Sequence, residues 1–262
     1  MLKVGVYVDA ANIDMNGGFQ MRYEVLRQFA EQGRDKAMRL NSYATFDPIR
    51  AEDTPEYRRK KSAYFSALRR QGFKVIVKNY QWRTNEFGER TAKANADMDM
   101  AVDILTQAKH LDRVLLVTGD GDFCKVAAAL QNHGVRVEGL AFDNVSGDLV
   151  NELDGFTWGQ TVPGLVDLSP VDDPKEIYFC GEVESYNEEK KYGFITYRDA
   201  PFDPYQSKRV FFHANNSAKG FQWLDGVLCR SSKSLVKFKL IAADSQRHEF
   251  QAGNVDIVME RH

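Results

Sequence analysis

Aspartates stand directly after apolar stretches that are typical of β-strands. The segment "LLVTGDGDF" places Asp120 and Asp122 at the end of one such stretch, and "VYVD" ends another at Asp9. Asp143 follows a further strand, "VRVEGLAF". Because the carboxyl ends of parallel strands meet at one edge of a sheet, we expect these carboxylates to share that edge. The competing interpretation is local: Asp122 begins the next helix as its N-cap, and Asp120 sits in the turn.

A further candidate, Asp97, lies in the first turn of a helix predicted over "ADMDMAVDILTQAKHL". On a helical wheel Asp97 falls within the apolar arc, whereas Asp99 and Asp103 point to the opposite, solvated face. The arc is formed by Met98, Ala101, Val102, Ile104, Leu105 and Ala108. A carboxylate on a buried face needs a partner, because unpaired burial of charge is costly. A divalent cation shared with the strand-end aspartates would supply it; the alternative is that Asp97 caps a frayed first turn.

Clusters of three or four carboxylates suit hard cations such as Mg²⁺ and Mn²⁺. The reaction that uses such a site most naturally is hydrolysis of a phosphodiester bond, because the ion neutralises charge on a phosphoryl oxygen. A phosphatase with an aspartyl nucleophile would need Asp-x-Asp after the first strand, where this chain has Asp9-Ala10-Ala11-Asn12. Phosphate-binding loops of the GxGxxG or GxxxxGK type are absent from the sequence. The spacing therefore favours a metal-dependent phosphodiesterase and leaves the number of ions open.

The elements that must position these acids fall into two domains. Strand and helix patterns alternate through residues 1–160, which predicts an α/β fold with a parallel sheet flanked by helices on both faces. The segment "QWRTNEFGERTAK" is typical of a hairpin turning at Asn85–Gly88. Residues 161–176 contain three prolines and no periodic run, so we interpret them as a linker. Residues 177–262 show short strands without a convincing helix, which predicts a small all-β barrel.

Three segments of the first domain together resemble the NYN domain, a branch of the PIN-like nuclease superfamily that includes the LabA-like proteins. They are "VYVDAAN", "KANADMDMAVDIL" and "LLVTGDGDFCKVAAALQNHGVRVEGLAF", and the Gly-Asp-Gly-Asp-Phe step is the most specific part. The resemblance implies a PIN-like sheet and a metal-dependent ribonuclease, in which Asn12 would orient Asp9 or a bound water. The metal ligands that the resemblance implies are Asp9, Asp97, Asp120 and Asp122. Where the family often has Lys-Gly-x-Asp, this chain has Asn95-Ala96-Asp97, with Lys93 displaced.

The second domain resembles a cold-shock domain, which is an OB-type barrel. "GEVESYNEEKKYGFITYRD" and "RVFFHANN" resemble its two ribonucleoprotein motifs, and "QAGNVDIV" resembles its last strand. With period-two alternation, several aromatic side chains share one face, on which unpaired bases would stack. The candidate RNA-binding residues of this domain are Tyr192, Phe194, Phe211, Phe212 and His213, with Lys190 and Lys191 beside them for phosphates. The alternative is that the aromatic side chains form the barrel core. The Trp that cold-shock domains usually carry in the first strand is replaced by Ser185.

One helix of the first domain, "EYRRKKSAYFSALRRQG", is rich in basic residues. Arg58, Arg59 and Lys61 are candidates for holding an RNA backbone beside the acids, and the alternative is a solvated helix face. The formal net charge of the whole chain is −2, so nucleic-acid binding would have to come from such local patches.

The remaining composition indicates the compartment. The three cysteines lack CxxC spacing and imply neither a disulfide framework nor a zinc site. We expect no signal peptide in "MLKVGVYVDAAN" and no membrane segment, because no apolar run approaches the length of about 20 residues that spans a bilayer. A cytoplasmic protein is the expectation.

These observations predict an endoribonuclease that uses Mg²⁺ or Mn²⁺ to hydrolyse single-stranded RNA and carries a C-terminal RNA-binding barrel. The alternative from another class is a non-catalytic RNA-binding regulator that uses the nuclease-like domain as an interaction module. DNA as the substrate stays open, because the hydroxyl that distinguishes RNA is recognised through geometry. The oligomeric state, with a homodimer among the options, stays open as well.

Overall fold

The computed structural model describes residues 1–84, 90–169, 176–200, 207–231, 233–243 and 249–260. The chain divides into two compact units, Met1–Trp158 and Gly159–His262. No helix in the described part of the chain combines the length and the apolar character that crossing a membrane demands.

The first unit is built on a six-stranded parallel sheet, which confirms the predicted fold class. The six strands of this sheet are β1 (Lys3–Asp9), β2 (Lys36–Phe46), β3 (Lys74–Asn79), β6 (Arg113–Val117), β7 (Arg136–Ala141) and β8 (Gly155–Trp158), and two further strands, β4 (Gln81–Thr84) and β5 (Arg90–Lys93), lie outside it. The order in the sheet is β3-β2-β1-β6-β7-β8, so β1 and β6 are the central strands. All five pairings are parallel. Strand β8 was not foreseen from the sequence.

Helices connect the strands of this sheet. They are α1 (Ala10–Met15), α2 (Tyr23–Ala30), α3 (Pro48–Asp53), α4 (Pro55–Arg70), α5 (Ala96–Gln107), α6 (Cys124–Asn132) and α7 (Gly147–Glu152). Strands β4 and β5 pair with each other in antiparallel fashion, apart from the main sheet. The turn predicted at Asn85–Gly88 lies outside the described residues.

The core of the first unit fixes the two central strands from both faces. Every residue of β6 is buried, as is every residue of β1 after Lys3. One cluster joins Tyr7 of β1 and Leu116 of β6 to Met100 and Ile104 of α5. Continuous burial of apolar side chains is expected where helices cover both faces of a parallel sheet. The ends of β1 and β6 are therefore held side by side by the core.

The second unit contains a closed five-stranded barrel of the OB type. Its strands are β9 (Phe179–Asn187), β10 (Tyr192–Tyr197), β11 (Lys208–His213), β12 (Leu235–Ala242) and β13 (Phe250–Met259), in the order β10-β11-β13-β12-β9. The predicted barrel is confirmed, but the expectation of no helix is wrong. Helix α8 (Phe221–Arg230) lies between β11 and β12 and packs Leu224 and Leu228 into the barrel core.

Residues 170–175 of the predicted linker lie outside the described residues. At its beginning, Val162 and Leu165 are both buried.

Candidate functional site

The end of β1 carries the most buried of the candidate acids. Asp9 is 8% exposed and caps α1, because its Oδ1 accepts the backbone N–H of Asn12 at 3.0 Å. Burial raises the pKa of the Asp9 carboxyl, and the hydrogen bond from Asn12 opposes that shift. The carboxylates of Asp97 and Asp120 raise the pKa of Asp9 further. The charges of two other predicted acids, Asp97 and Asp120, thus act on Asp9 at the carboxyl edge of the sheet.

The side chain of Asn12 joins the ends of the two central strands. Its Oδ1 accepts the backbone N–H of Gly119 at 3.0 Å, and Gly119 follows β6. Its backbone N–H donates to Asp9 Oδ1, so Asn12 contacts Asp9 through the main chain and not through its side-chain amide. Because Gly119 is buried, this bond satisfies a donor that would otherwise lack a partner.

The Gly-Asp-Gly-Asp segment forms a short 3₁₀ turn, Gly121–Phe123, before α6. Asp120 caps this turn, since its Oδ1 accepts the backbone N–H of Asp122 at 3.0 Å. The local interpretation therefore assigned the cap to the wrong aspartate. Asp122 is exposed, and its carboxylate makes no hydrogen bond to a residue that the structure describes. Gly121 is required by close packing, because a Cβ there would lie 2.7 Å from Ser146 Oγ.

Helix α5 presents a different face to the sheet than the helical wheel predicted. Its buried residues are Ala96, Met100 and Ile104. The predicted apolar arc is wrong, because Met98, Val102 and Leu105 of that arc are exposed. Asp97 is exposed too. Its charge acts on Asp9 because Asp97 lies in the first turn of α5, not because its side chain is buried.

The two aspartates assigned to the solvated face of α5 have partners. Asp99 forms an ion pair with Lys78 of β3 at 2.7 Å. Asp103 accepts the hydroxyl of Tyr43 at 2.8 Å. Both carboxylates are half-buried and anchor α5 to the sheet. These two polar interactions, together with the small buried Ala96, determine which face of α5 packs against the sheet.

The chemistry of the acidic edge fits a divalent cation, although its side chains are not drawn together. Carboxylate oxygens are the ligands that Mg²⁺ and Mn²⁺ prefer, and a cation would offset the unfavourable effect of the Asp97 and Asp120 charges on Asp9. Among the described residues, however, no three Asp, Glu, His or Cys side chains lie close enough together to hold a metal ion. Asp9, Asp97, Asp120 and Asp122 therefore offer oxygen donors of the right kind, but the structure does not gather them into a metal site.

A polar cluster beside Asp9 was missed from the sequence. Burial raises the pKa of the half-buried Asp14 on α1, and Lys61 of α4 opposes that shift. The Lys61 ammonium lies 5.9 Å from the Tyr64 ring centroid, and the Tyr64 and Tyr23 hydroxyls are 2.9 Å apart. Burial raises the pKa of Tyr23, and the charges of Asp14 and Asp9 add to the shift. The cluster thus places the Lys61 cation near Asp14 on α1, the helix that Asp9 caps.

The other two basic candidates of α4 line a cavity on the surface of the first unit. Arg58 and Arg59 are exposed and line a surface cavity of about 570 Å³ together with Glu52 and Ser62.

The barrel presents a face of aromatic rings across two paired strands. Tyr192 pairs with His213, and Phe194 pairs with Phe211, in the antiparallel register of β10 and β11. These four side chains alternate with buried ones and are half-exposed. The Phe211 centroid lies 5.6 Å from that of Tyr192 and 5.9 Å from that of Phe194. The Arg209 guanidinium lies 3.8 Å above the Phe194 ring. We call these four rings the aromatic face.

Phe212 does not belong to the aromatic face. It is fully buried in the barrel core and stacks on Tyr186 at a centroid distance of 6.0 Å. It passes so close to Gly193 that a Cβ there would lie 2.6 Å from its ring. Its assignment as a base-stacking residue is wrong, because alternation along β11 sends Phe211 and Phe212 to opposite sides of the strand.

The two lysines of the turn between β9 and β10 differ in environment. Lys190 is exposed. Lys191 binds both carboxylate oxygens of Asp225 on α8, at 3.0 and 2.8 Å. The Tyr186 hydroxyl donates to the same carboxylate at 2.6 Å. Lys191 is therefore a structural tie within the barrel, and Lys190 is the lysine of this pair that remains accessible to a phosphate.

The geometry defines an α/β protein with acidic side chains at the carboxyl edge of a parallel sheet, followed by an OB-type barrel. The model of the NYN domain family matches residues 3–162, and the chain belongs to this family. The predicted resemblance is thereby confirmed. NYN domains are a PIN-like nuclease family whose members generally use divalent metals, which points to nucleic acid as the class of ligand.

The individual proteins that this chain resembles do not indicate a function for it. No curated protein matches the sequence. A solved structure of a protein of unknown function from Vibrio parahaemolyticus, VPA0982, is 24% identical, with a TM-score of 0.49, over 60% of this chain and 92% of that chain. The structure of a protein called Sa239 is 10% identical, with a TM-score of 0.34, over 80% of this chain and 78% of that chain.

Proposed function

We propose that this protein is a metal-dependent endoribonuclease that hydrolyses phosphodiester bonds of single-stranded RNA and binds the strand with its C-terminal barrel. The observation that carries the proposal is the buried carboxyl of Asp9 at the carboxyl edge of a nuclease-like sheet, where the charges of Asp97 and Asp120 act on it. Proteins tolerate such like-charge groupings at functional sites, where a cation or a substrate compensates them.

The residues that would hold the ion are Asp9, Asp97, Asp120 and Asp122. The ion, Mg²⁺ or Mn²⁺, would supply charge neutralisation at a phosphoryl oxygen. Asn12 would keep Asp9 and the chain after β6 in fixed relation through its two hydrogen bonds. Lys61 would hold a backbone phosphate beside the acids, and Arg58 and Arg59 would extend the basic surface along α4.

The barrel would capture the single strand on its aromatic face. Tyr192, Phe194, Phe211 and His213 offer half-exposed rings on which successive bases stack, a contact worth about 1–3 kcal/mol per base. Lys190 would hold a phosphate at the edge of that face. Stacking of this kind is tolerant of sequence, so we expect the barrel to prefer unpaired strands over particular sequences.

The test is cleavage of end-labelled single-stranded RNA and DNA of the same sequence in Mn²⁺, in Mg²⁺ and in EDTA. The double variant Asp120→Asn/Asp122→Asn removes two ligands without changing side-chain size. Asp99→Asn is the matched control, because Asp99 lies on α5 beside Asp97 yet is paired with Lys78. We expect metal-dependent cutting of RNA by the wild type and by the control, and a loss of at least about 100-fold in the double variant.

A different outcome would select the alternative function. If the wild type and the double variant are equally inert in every metal while both still bind RNA, the protein is a non-catalytic RNA-binding regulator. The observation that favours this second candidate is that no three of the described acids are drawn together into a metal site. Cutting of DNA and RNA at equal rates would make the protein a general nuclease of single strands.

A further inference from the structure

A second cavity in the first unit lies between β2, β3 and the end of α5. It measures about 410 Å³ and is lined by Met38, Arg39, Leu40, Asn41, Gly72, Lys74 and Gln107. None of these residues belongs to the acidic edge or to the basic cluster on α4. The volume falls within the range of roughly 300–1,000 Å³ that small-molecule sites occupy.

The floor of this cavity is a buried network of hydrogen bonds. The Asn41 amide, in a residue only 2% exposed, donates to the Tyr43 hydroxyl at 3.1 Å and to Gln107 Oε1 at 3.5 Å. The Tyr7 hydroxyl donates to the same Gln107 oxygen at 3.1 Å. Tyr43 in turn donates to Asp103. The network fixes both amide side chains in one orientation.

Each of the two amides keeps one hydrogen-bonding atom unused. Asn41 Oδ1 and Gln107 Nε2 are not bonded to any residue that the structure describes. One is an acceptor and the other a donor, and both residues line the cavity. Neither atom is among the buried side-chain atoms that lack a partner in the described part of the chain, so both can be reached from the cavity by a ligand with a matching donor and acceptor.

The rim of the cavity is cationic and its walls are partly apolar. Arg39 and Lys74 are exposed at the mouth, and Met38 and Leu40 contribute apolar surface. Burial raises the pKa of the Tyr7 hydroxyl, and the charge of Arg39 opposes this shift, so the guanidinium acts on the floor as well as the rim.

We propose that this cavity binds a nucleoside phosphate, with the base on the amide floor and the phosphate on the cationic rim. A neighbouring donor and acceptor match the edge of a nucleobase, which is how Asn and Gln side chains recognise bases. Arg39 and Lys74 supply the two cations that a phosphate monoester requires. An inorganic anion would bind Arg39 and Lys74 but would leave the free amide atoms of Asn41 and Gln107 without a partner. The two amides therefore favour a nucleotide over phosphate alone. The proposal does not rest on the nuclease activity.

The test is calorimetric titration of the whole protein in EDTA, so that the acidic edge has no divalent ion. The probes are AMP, GMP, CMP and UMP, with inorganic phosphate and adenosine as fragments and a 5′-phosphorylated pentanucleotide as the chain-end form. The main variant is Arg39→Glu/Lys74→Glu, because both side chains are exposed and their replacement spares the core. Lys125→Glu, at an exposed position on α6 outside the cavity lining, is the matched control.

We expect at least one mononucleotide to bind more tightly than phosphate or adenosine, equally in the wild type and in the Lys125→Glu control. The rim variant should weaken this binding by at least about tenfold. Gln107→Glu, whose fold is checked by thermal melting, keeps the oxygen that Tyr7 and Asn41 bind but turns the unused donor into an acceptor, so it should change which base binds best. Tighter binding of the pentanucleotide would identify the ligand as a strand end rather than a free nucleotide. The proposal is overturned if no nucleotide binds at millimolar concentration, if the rim variant binds as the wild type does, or if phosphate alone binds as well as the nucleotides.

Discussion

Two adjacent phenylalanines of β11 give a sharp prediction, because they have opposite environments. Phe211 is half-exposed in the middle of the aromatic face, whereas Phe212 is fully buried in the barrel core. Phe211→Ala should remove one stacking surface worth about 1–3 kcal/mol, which corresponds to a loss of about 5- to 150-fold in affinity for single-stranded RNA. The melting temperature should change little.

Phe212→Leu should behave in the opposite way. It removes a ring that packs on Tyr186 and over Gly193, so the barrel should lose about 1–2 kcal/mol of stability. The affinity of the folded protein for RNA should stay unchanged. Fluorescence anisotropy with a labelled oligonucleotide at one fixed salt concentration measures the affinity, and thermal denaturation measures the stability. Equal affinities for the wild type and Phe211→Ala, with both folded, would refute the role of the aromatic face.

Two further predictions concern polar links. Asn12→Ala leaves the buried N–H of Gly119 without its acceptor, so the free energy of unfolding, measured by urea denaturation, should fall by about 1–3 kcal/mol. RNA cleavage should slow as well. Unchanged stability and an unchanged cleavage rate would contradict the bridging role of Asn12. Hydrogen bonding from Lys191, supported by Tyr186, lowers the pKa of Asp225 in the folded protein. The ionised carboxylate therefore stabilises the barrel above the unfolded-state pKa of about 4, and this stabilisation is lost as the pH falls below that value and through the lower folded-state pKa. The melting temperature should therefore fall more steeply below about pH 4 in the wild type than in Asp225→Asn, and parallel curves would contradict this.

The central sheet follows closely from the sequence, because burial on both faces leaves a continuous apolar run. The "VGVYV" and "VLLV" segments of β1 and β6 show it, and Asp9 marks the end of β1. Strand β8 is only four residues long, and helix α8 contains Gly226, so neither has a run long enough to stand out. Long elements with a clear hydrophobic period can be predicted from local sequence. Whether a short segment becomes a strand or a helix is decided by the residues against which it packs.

The face of α5 could not be derived from hydropathy. The helix carries apolar residues on every side, so the helical wheel predicted a buried arc that included Met98 and Val102. Both side chains are exposed in the structure. Contacts with distant residues decide the orientation: Lys78 pairs with Asp99, and Tyr43 binds Asp103. For the same reason the sequence carried no signal for the cluster around Asp14, whose partners come from separate helices. In β11, period two predicts that neighbouring phenylalanines face opposite sides but not which one faces inward.

The most direct test of the acidic edge is the binding of Mn²⁺ itself, followed by the electron paramagnetic resonance signal of the free ion. We expect saturable binding of Mn²⁺ to the wild type, retained in Asp99→Asn and lost in Asp120→Asn/Asp122→Asn. The stoichiometry would give the number of ions at the edge. Equal binding by the wild type and the double variant, or no binding by the wild type, would contradict the claim that the aspartates at the ends of β1 and β6 form a metal site.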